Sequence, residues 1–461
     1  MSIVGAFIMP HPPIILPEIG KGEEREIQRT TDACREVAGR IAALKPDTVV
    51  VTSPHSVLYA DYFHISPGES AHGDFGRFGA PEVTVDVRYD SEFVRELTDA
   101  AGKAGLAAGT FGEREKSLDH GTMIPLRFLN EFYTDYQLVR IGLSGLSVLD
   151  HYRLGKCVAQ TAEALGRRVV FLASGDLSHR LKEDGPYGFA KEGPKFDSQV
   201  TDAMAKGDFL RFLTFRPDFC DAAAECGLRS FIIMAGALDG KAVQPELLSY
   251  EGPFGVGYGV CAFQITGNDE NRRFDAIYEA EEKRRLNRIQ SQEDEYVKLA
   301  RLSLETYVRT GERVKLPAGL PEEMLRRRAG AFVSLKKNGE LRGCIGTIGP
   351  ITDCVAKEIV RNAVSAGTED PRFAPVTEQE LSSLVYSVDV LDKPEPIDTI
   401  EELDVRRYGV IVTGGHKRGL LLPNLEGVDT PEQQVAIAMQ KAGLRKGEPC
   451  SLERFEVVRH K

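Results

Sequence analysis

The stretch "SIVGAFIMPHPPIILP" (residues 2–17) runs through seven residues from Ile3 to Met9 with no charged side chain, then meets Pro10, His11, Pro12 and Pro13. A short apolar run closed by prolines reads as a buried strand, because proline cannot continue a strand's hydrogen-bond ladder. His11 then sits in a stiffened loop at the strand's carboxyl end, either as a satisfied structural ring or as the first member of a site. The same pattern returns further along. "TVVVTS" (48–53) leads into Pro54 and His55, and "RVVFLAS" (168–174) leads into "GDLSH" and His179. "QLVRIGL" (137–143) is another strand, and helices near 24–44 and 149–165 separate these segments. Strands alternating with helices predict an α/β domain whose mostly parallel central sheet is flanked by helices. "DYFHIS", "EVTVDVRY" and "GYGVCAFQI" read as additional strands, some of them antiparallel at an edge.

A chain of 461 residues exceeds one ordinary core. The break falls at Gly267, where "GNDENRRFDAIYEAEEKRRLNRIQSQEDE" is highly charged and rich in helix formers. Residues 1–266 therefore read as one domain, 267–293 as a charged helical linker and 294–461 as a second domain. In the second domain "GAFVSLKK" and "LRGCIGTI" flank an Asn-Gly turn, which predicts antiparallel pairing and an α+β fold. A formal charge of -11 argues against nucleic acid as a partner. Eight cysteines without a C-x-x-C pair disfavour a disulfide framework and a cysteine-only zinc site, which suits a reducing cytoplasm. The apolar start lacks a basic leader region, and the longest apolar runs reach about half a bilayer span, so neither secretion nor membrane insertion is expected. The oligomeric state stays open, a homo-oligomer included.

Four of the nine histidines stand in comparable places: His11, His55, His120 in "SLDHGTMIPL" and His179. Three follow expected strands, and ligands of open parallel sheets bind beyond the strands' carboxyl ends. Imidazole is both a common metal ligand and the usual general base near neutral pH. A site of two histidines and one carboxylate needs an acid, for which Asp119, Asp176 and Glu225 in "DAAAECGLRSFIIMAGAL" are candidates. Glu225 also suits a helix N-terminus, where a carboxylate is worth about 0.3–1 kcal/mol. Cys226 reads as a small buried hydrophobe. His64 and His72 read as surface or substrate-loop residues, and His151, His416 and His460 carry no role.

With "MPHPP", "SPHS", "DHGTMIPL", "GDLSH" and "AAECGLRS" in this order, residues 1–266 resemble the class III extradiol dioxygenases, specifically the protocatechuate 4,5-dioxygenase β-subunit superfamily that contains the Memo proteins. The resemblance implies Fe(II) held by His11, His55 and Glu225, His179 as acid/base, and His120 near substrate and oxygen. The implied reaction is extradiol opening of a catechol or 2-aminophenol with O₂. In Memo proteins a cysteine context takes the acidic ligand's place, and a thiolate favours softer ions such as Cu(I). A non-catalytic metal-binding or scaffold role is the alternative. Residues 294–461 resemble the AMMECR domain through "GAFVSLKKNGELRGCIGT", "DPRFAPVTEQEL" and "VYSVDVLDKPEPI". Within "LRGCIGT", Arg342 and Cys344 are the candidate second-domain site, against a bland reading of packed strand residues. Proteins resembling these two halves belong with a radical SAM protein to the AmmeMemoRadiSam set, which implies such a partner.

Overall fold

In the first unit, alternate residues of each central strand enter two different cores. Ile3, Ala6 and Ile8 face one and Phe7 and Met9 the other; Val50 and Phe171 join the first, and Val49, Val51, Val170 and Leu172 the second. Burial on both faces is why these strands read as continuous apolar runs. The computed structural model describes residues 3–112, 117–425, 427–445 and 447–461.

The six-stranded sheet runs in the order Gln137–Gly142, Thr48–Ser53, Val169–Ser174, Ile3–Met9, Tyr258–Asn268, Lys241–Glu251. The first four strands are parallel and the last two pair antiparallel. Helices Val148–Ala164 and Leu228–Ala237 cover one face; Gln28–Leu44 and His120–Leu129 cover the other. The fold is thus α/β with a mostly parallel sheet. "DYFHIS" contributes only the two-residue strand Phe63–His64, paired with Ala108–Gly109. His64 corrects the surface-loop expectation. Its ring is wholly buried in that pairing and pushed down to about 4 by desolvation, then by the nearby Arg140 guanidinium.

The second unit holds two four-stranded antiparallel sheets. One runs Glu340–Gly346, Ala331–Lys337, Leu384–Leu391, Val457–His460, and the other Glu395–Ile397, Ser451–Phe455, Gly409–Gly414, Lys417–Leu421. Helices Glu295–Thr310 and Val355–Thr368 pack on the first sheet and Pro431–Ala442 on the second. The two-residue turn at Asn338 and Gly339 is left-handed at both positions, the hairpin geometry that an Asn-Gly pair favours.

Contacts divide the chain into Met1–Ala280 and Glu281–Lys461. Helix Phe274–Gln292 spans that division, with Phe274 its one buried residue. Among the described residues, no helix is long and apolar enough to cross a membrane.

Candidate functional site

Thr48–Ser53, Val169–Ser174 and Ile3–Met9 are neighbours in the sheet and parallel, so their carboxyl ends lie side by side. Neighbouring strands stand roughly 5 Å apart. His55, His179 and His11 leave those three ends, and His120 opens the helix His120–Leu129 beside them. Ring centroids are 4.8 Å apart for His11 and His55, 5.5 Å for His11 and His120, and 4.0 Å for His55 and His120. The structure therefore brings three of the four histidines into ring contact. His179 stands edge-on to Tyr187 at 5.1 Å.

His11 is held from three sides. Its backbone N–H donates to Asp176 Oδ1 at 2.8 Å. Its Nδ1 lies 2.9 Å from Ser174 Oγ, and that hydroxyl donates to the Gly121 carbonyl at 2.5 Å. With its proton committed, Ser174 Oγ can only accept from His11. Nδ1 therefore carries the ring's proton and Nε2 keeps a free lone pair. Burial, then repulsion from His55, holds His11 well below the ordinary histidine range, so the ring stays neutral. Its Nε2 faces His55 Nε2 at 3.0 Å. His55, one side of which is open, is also lowered by desolvation. His120 is pushed down to about 3 by burial, with His55 and His11 adding repulsion.

The third converging donor is Cys226. Its Sγ lies 3.8 Å from His11 Nε2, and the ligand atoms of His11, His55 and Cys226 all fall within 4.8 Å of one another. Backbone crowding puts the thiol there. A Cβ on Gly175 would stand 2.2 Å from the Gly227 Cα, so the "SGD" and "ECG" loops touch only because both positions are glycine. Ala224, two residues before Cys226, adopts a left-handed φ of 52°. Glu225, the carboxylate expected as ligand, is outside this group of three. Its Oε2 accepts the N–H of Leu228, the first residue of the helix Leu228–Ala237, at 2.7 Å. Burial raises Glu225 to about 7. Asp176 stands closer to the pair, with Oδ2 3.8 Å from His11 Nε2, and is raised to about 6 by burial. Desolvation lifts the Cys226 thiol far above its usual value in the absence of a cation, with Asp176 and Glu225 adding to the rise.

The donor set fits a transition-metal ion. Two imidazole nitrogens bound to one ion at about 2.0–2.1 Å stand about 3 Å apart, and neutral rings with a nearby thiol are what such an ion binds. Beside the histidines opens a cleft of about 420 Å³ lined by His55, His120, Phe78, Met123, Asp119 and Arg140. Phe78 meets the His120 ring edge-on at 5.2 Å. Asp119 caps the helix through Thr122 N–H at 3.0 Å and accepts from Ser53 Oγ. Arg140, buried, donates to Ser66 Oγ at 2.7 Å and lies 3.7 Å from Asp119. Ser174, Phe78 and Arg140 were not singled out in the sequence. Ser174 had a signal, as the last residue of a strand whose loop carries a histidine.

In the second unit, Cys344 faces a cleft between strands but Arg342 does not. Leu341 pairs with Lys336 and Gly343 with Leu335, leaving Arg342 as the extra residue of a bulge. Its guanidinium turns to Glu380, at 3.0 Å for both nitrogens. Arg342 and Cys344 are thus turned to different surroundings, Arg342 to Glu380 and Cys344 to the cleft.

Residues 5–261 match the family described as catalytic LigB subunit of aromatic ring-opening dioxygenase, and residues 297–460 match the AMMECR1 family. The chain belongs to the LigB family through its first unit and carries an AMMECR1 domain in its second. A protein of Clostridium acetobutylicum is 43% identical over 480 residues, covering 100% of both chains. One of Thermotoga maritima is 50% identical over 171 residues, covering 37% of this chain and 98% of its own. A solved structure of an uncharacterized Pyrococcus horikoshii protein is 33% identical with a TM-score of 0.34, covering 36% of this chain and 88% of its own.

Proposed function

We propose that the first unit is a metal-dependent enzyme that uses O₂ to open an aromatic ring bearing two adjacent hydroxyl groups, or a hydroxyl beside an amine. The observation that carries this reading is the pair of facing imidazole nitrogens of His11 and His55, 3.0 Å apart, with the His11 tautomer fixed for coordination. Membership in the ring-opening family and a cleft with room for one substituted ring support it. An iron(II) ion held by His11, His55 and a third donor would supply the Lewis-acid and redox chemistry. The protein's own groups do the rest. Phe78, Met123 and the His120 ring wall the cleft and exclude water from the substrate ring. The His179 imidazole accepts the substrate hydroxyl proton and returns it to the product. Asp119 and Arg140 hold His120 and its helix start in place.

The full chain, loaded anaerobically with Fe(II) and then given O₂ and a catechol panel, is expected to develop the yellow absorbance of a ring-opened product. His11→Ala should lose metal and turnover together, whereas His179→Ala should keep metal and lose turnover. Full iron occupancy with no turnover across the panel overturns ring opening. The position of Cys226 Sγ favours a second reading, a thiolate-bound softer ion such as Cu(I) in a metal-binding role. Copper retained in Glu225→Ala but lost in Cys226→Ser supports that reading, and the opposite pattern rejects it.

A further inference from the structure

The second unit contains a cleft of about 1310 Å³ whose lining is at odds with the chain as a whole. The protein carries a net charge of -11. Yet six lining side chains are lysine or arginine, against one carboxylate, Asp389. The three arginines are each answered. Arg459 pairs with Asp389 at 2.6 Å, Arg372 with Asp370 at 2.7 Å and Arg418 with Glu453 at 2.9 Å. The side chains of the three lysines, Lys336, Lys441 and Lys461, make no hydrogen bond or ion pair among the described residues, and the first two stand on regular elements. They come from opposite walls, Lys336 from strand Ala331–Lys337 of one sheet and Lys441 from the last turn of helix Pro431–Ala442 on the other. The floor is apolar, with Phe332, Ile348 and Leu420 lining it.

From this we infer that the cleft of the second unit binds a phosphorylated small molecule, whose charged group is held by Lys336 and Lys441 and whose body rests on the apolar floor. Two unneutralised ammonium groups facing one cavity from separate elements call for a ligand with more than one negative charge. Lysine binds phosphate as a point charge without needing the fork geometry that the paired arginines already spend on carboxylates. Cys344 sits in the same wall and is fixed there. Its backbone N–H donates to Asp370 Oδ2 at 2.9 Å, and its thiol meets Ser334 Oγ at 3.2 Å. Burial raises this thiol, while Ser334, Arg372 and Lys441 pull it down. Desolvation lowers Lys441, with Arg372 adding repulsion, and a bound anion would relieve the latter. Cys344 thus serves as an internal reporter of occupancy, with no covalent role assigned to it.

The test titrates the full-length protein with inorganic pyrophosphate, ADP and adenosine by calorimetry at moderate salt. In parallel, iodoacetamide labelling of Cys344 is followed by peptide mass. Pyrophosphate and ADP should bind and slow Cys344 alkylation, ADP more tightly if its body reaches the floor, and adenosine should do neither. The double variant Lys336→Ala, Lys441→Ala should weaken both anions at least tenfold while leaving the melting temperature unchanged, because both side chains are solvent-exposed. Three outcomes overturn the inference: no binding of either anion at about 1 mM, equal binding by the double variant, or adenosine binding as tightly as ADP.

Discussion

At the scale of single residues, Ser174 governs the proposed metal centre without touching the ion. Its hydroxyl gives its proton to Gly121 O and so receives the Nδ1 proton of His11, leaving Nε2 free toward His55. Ser174→Ala removes that acceptor from a buried ring. Such supporting groups typically alter metal affinity by 10–100-fold, so the variant should release its metal to a chelator at a concentration lower by at least about tenfold. Unchanged affinity would mean that the tautomer is set elsewhere. His11, His55 and His179 could be singled out because each comes in the loop after an apolar run. Cys226 had no such mark. Glu225 and Cys226 are adjacent, and beside the close approach of Gly175 to Gly227 the thiol faces His11 while the carboxylate turns to the Leu228 N–H. A linear sequence does not display that choice.

At the scale of elements, the strands buried on both faces declared themselves, and the edge did not. Lys241–Glu251 is half-buried along most of its length and contains Pro245, so it lacks the apolar run that marked its neighbours. The bulge at Arg342 was equally hidden, because one extra residue in a strand changes which side chain faces the cleft without changing composition. Its consequence is a partly buried cluster in which Glu380 accepts from Arg342 and Lys337 and from the Thr377 N–H. Chiefly through the Arg342 hydrogen bonds, Glu380 is held down at about 2, against an ordinary value of 4.5. A carboxylate with a depressed native pKa adds stability that is complete above the unfolded value and fades as pH falls toward the native one. Arg342→Met should therefore lower stability at pH 7 by roughly 1–2 kcal/mol, a range set by hydrogen bonds to a charged group and reduced by partial exposure. The gap from wild type, read by urea unfolding, should narrow steadily between pH about 5 and about 2. A gap that stays constant with pH would show that Arg342 contributes packing and not charge.

At the scale of the whole molecule, charge and length led to a helical linker being expected over 267–293, and the helix Phe274–Gln292 contributes only Phe274 to a buried core, that of the first unit. The cores themselves are separate. Buried clusters of the first unit draw on residues from Ile3 to Phe274, and those of the second on residues from Val297 to Phe455. A unit of the second one's size buries enough surface to fold unaided. Cutting at the observed division removes none of its buried apolar side chains, since the first of them in the chain is Val297. Residues 281–461 expressed alone should accordingly unfold in one cooperative transition with native-like circular dichroism. The full chain should then show a calorimetric enthalpy larger than the van't Hoff enthalpy of either transition. If the isolated unit is instead unfolded, the second core depends on the first, and the two enthalpies of the full chain should coincide. Independent folding also lets the two sites be assayed separately. Loss of metal from the His11 variant should leave pyrophosphate binding in the second unit intact, and the Lys336 and Lys441 substitutions should leave metal content intact.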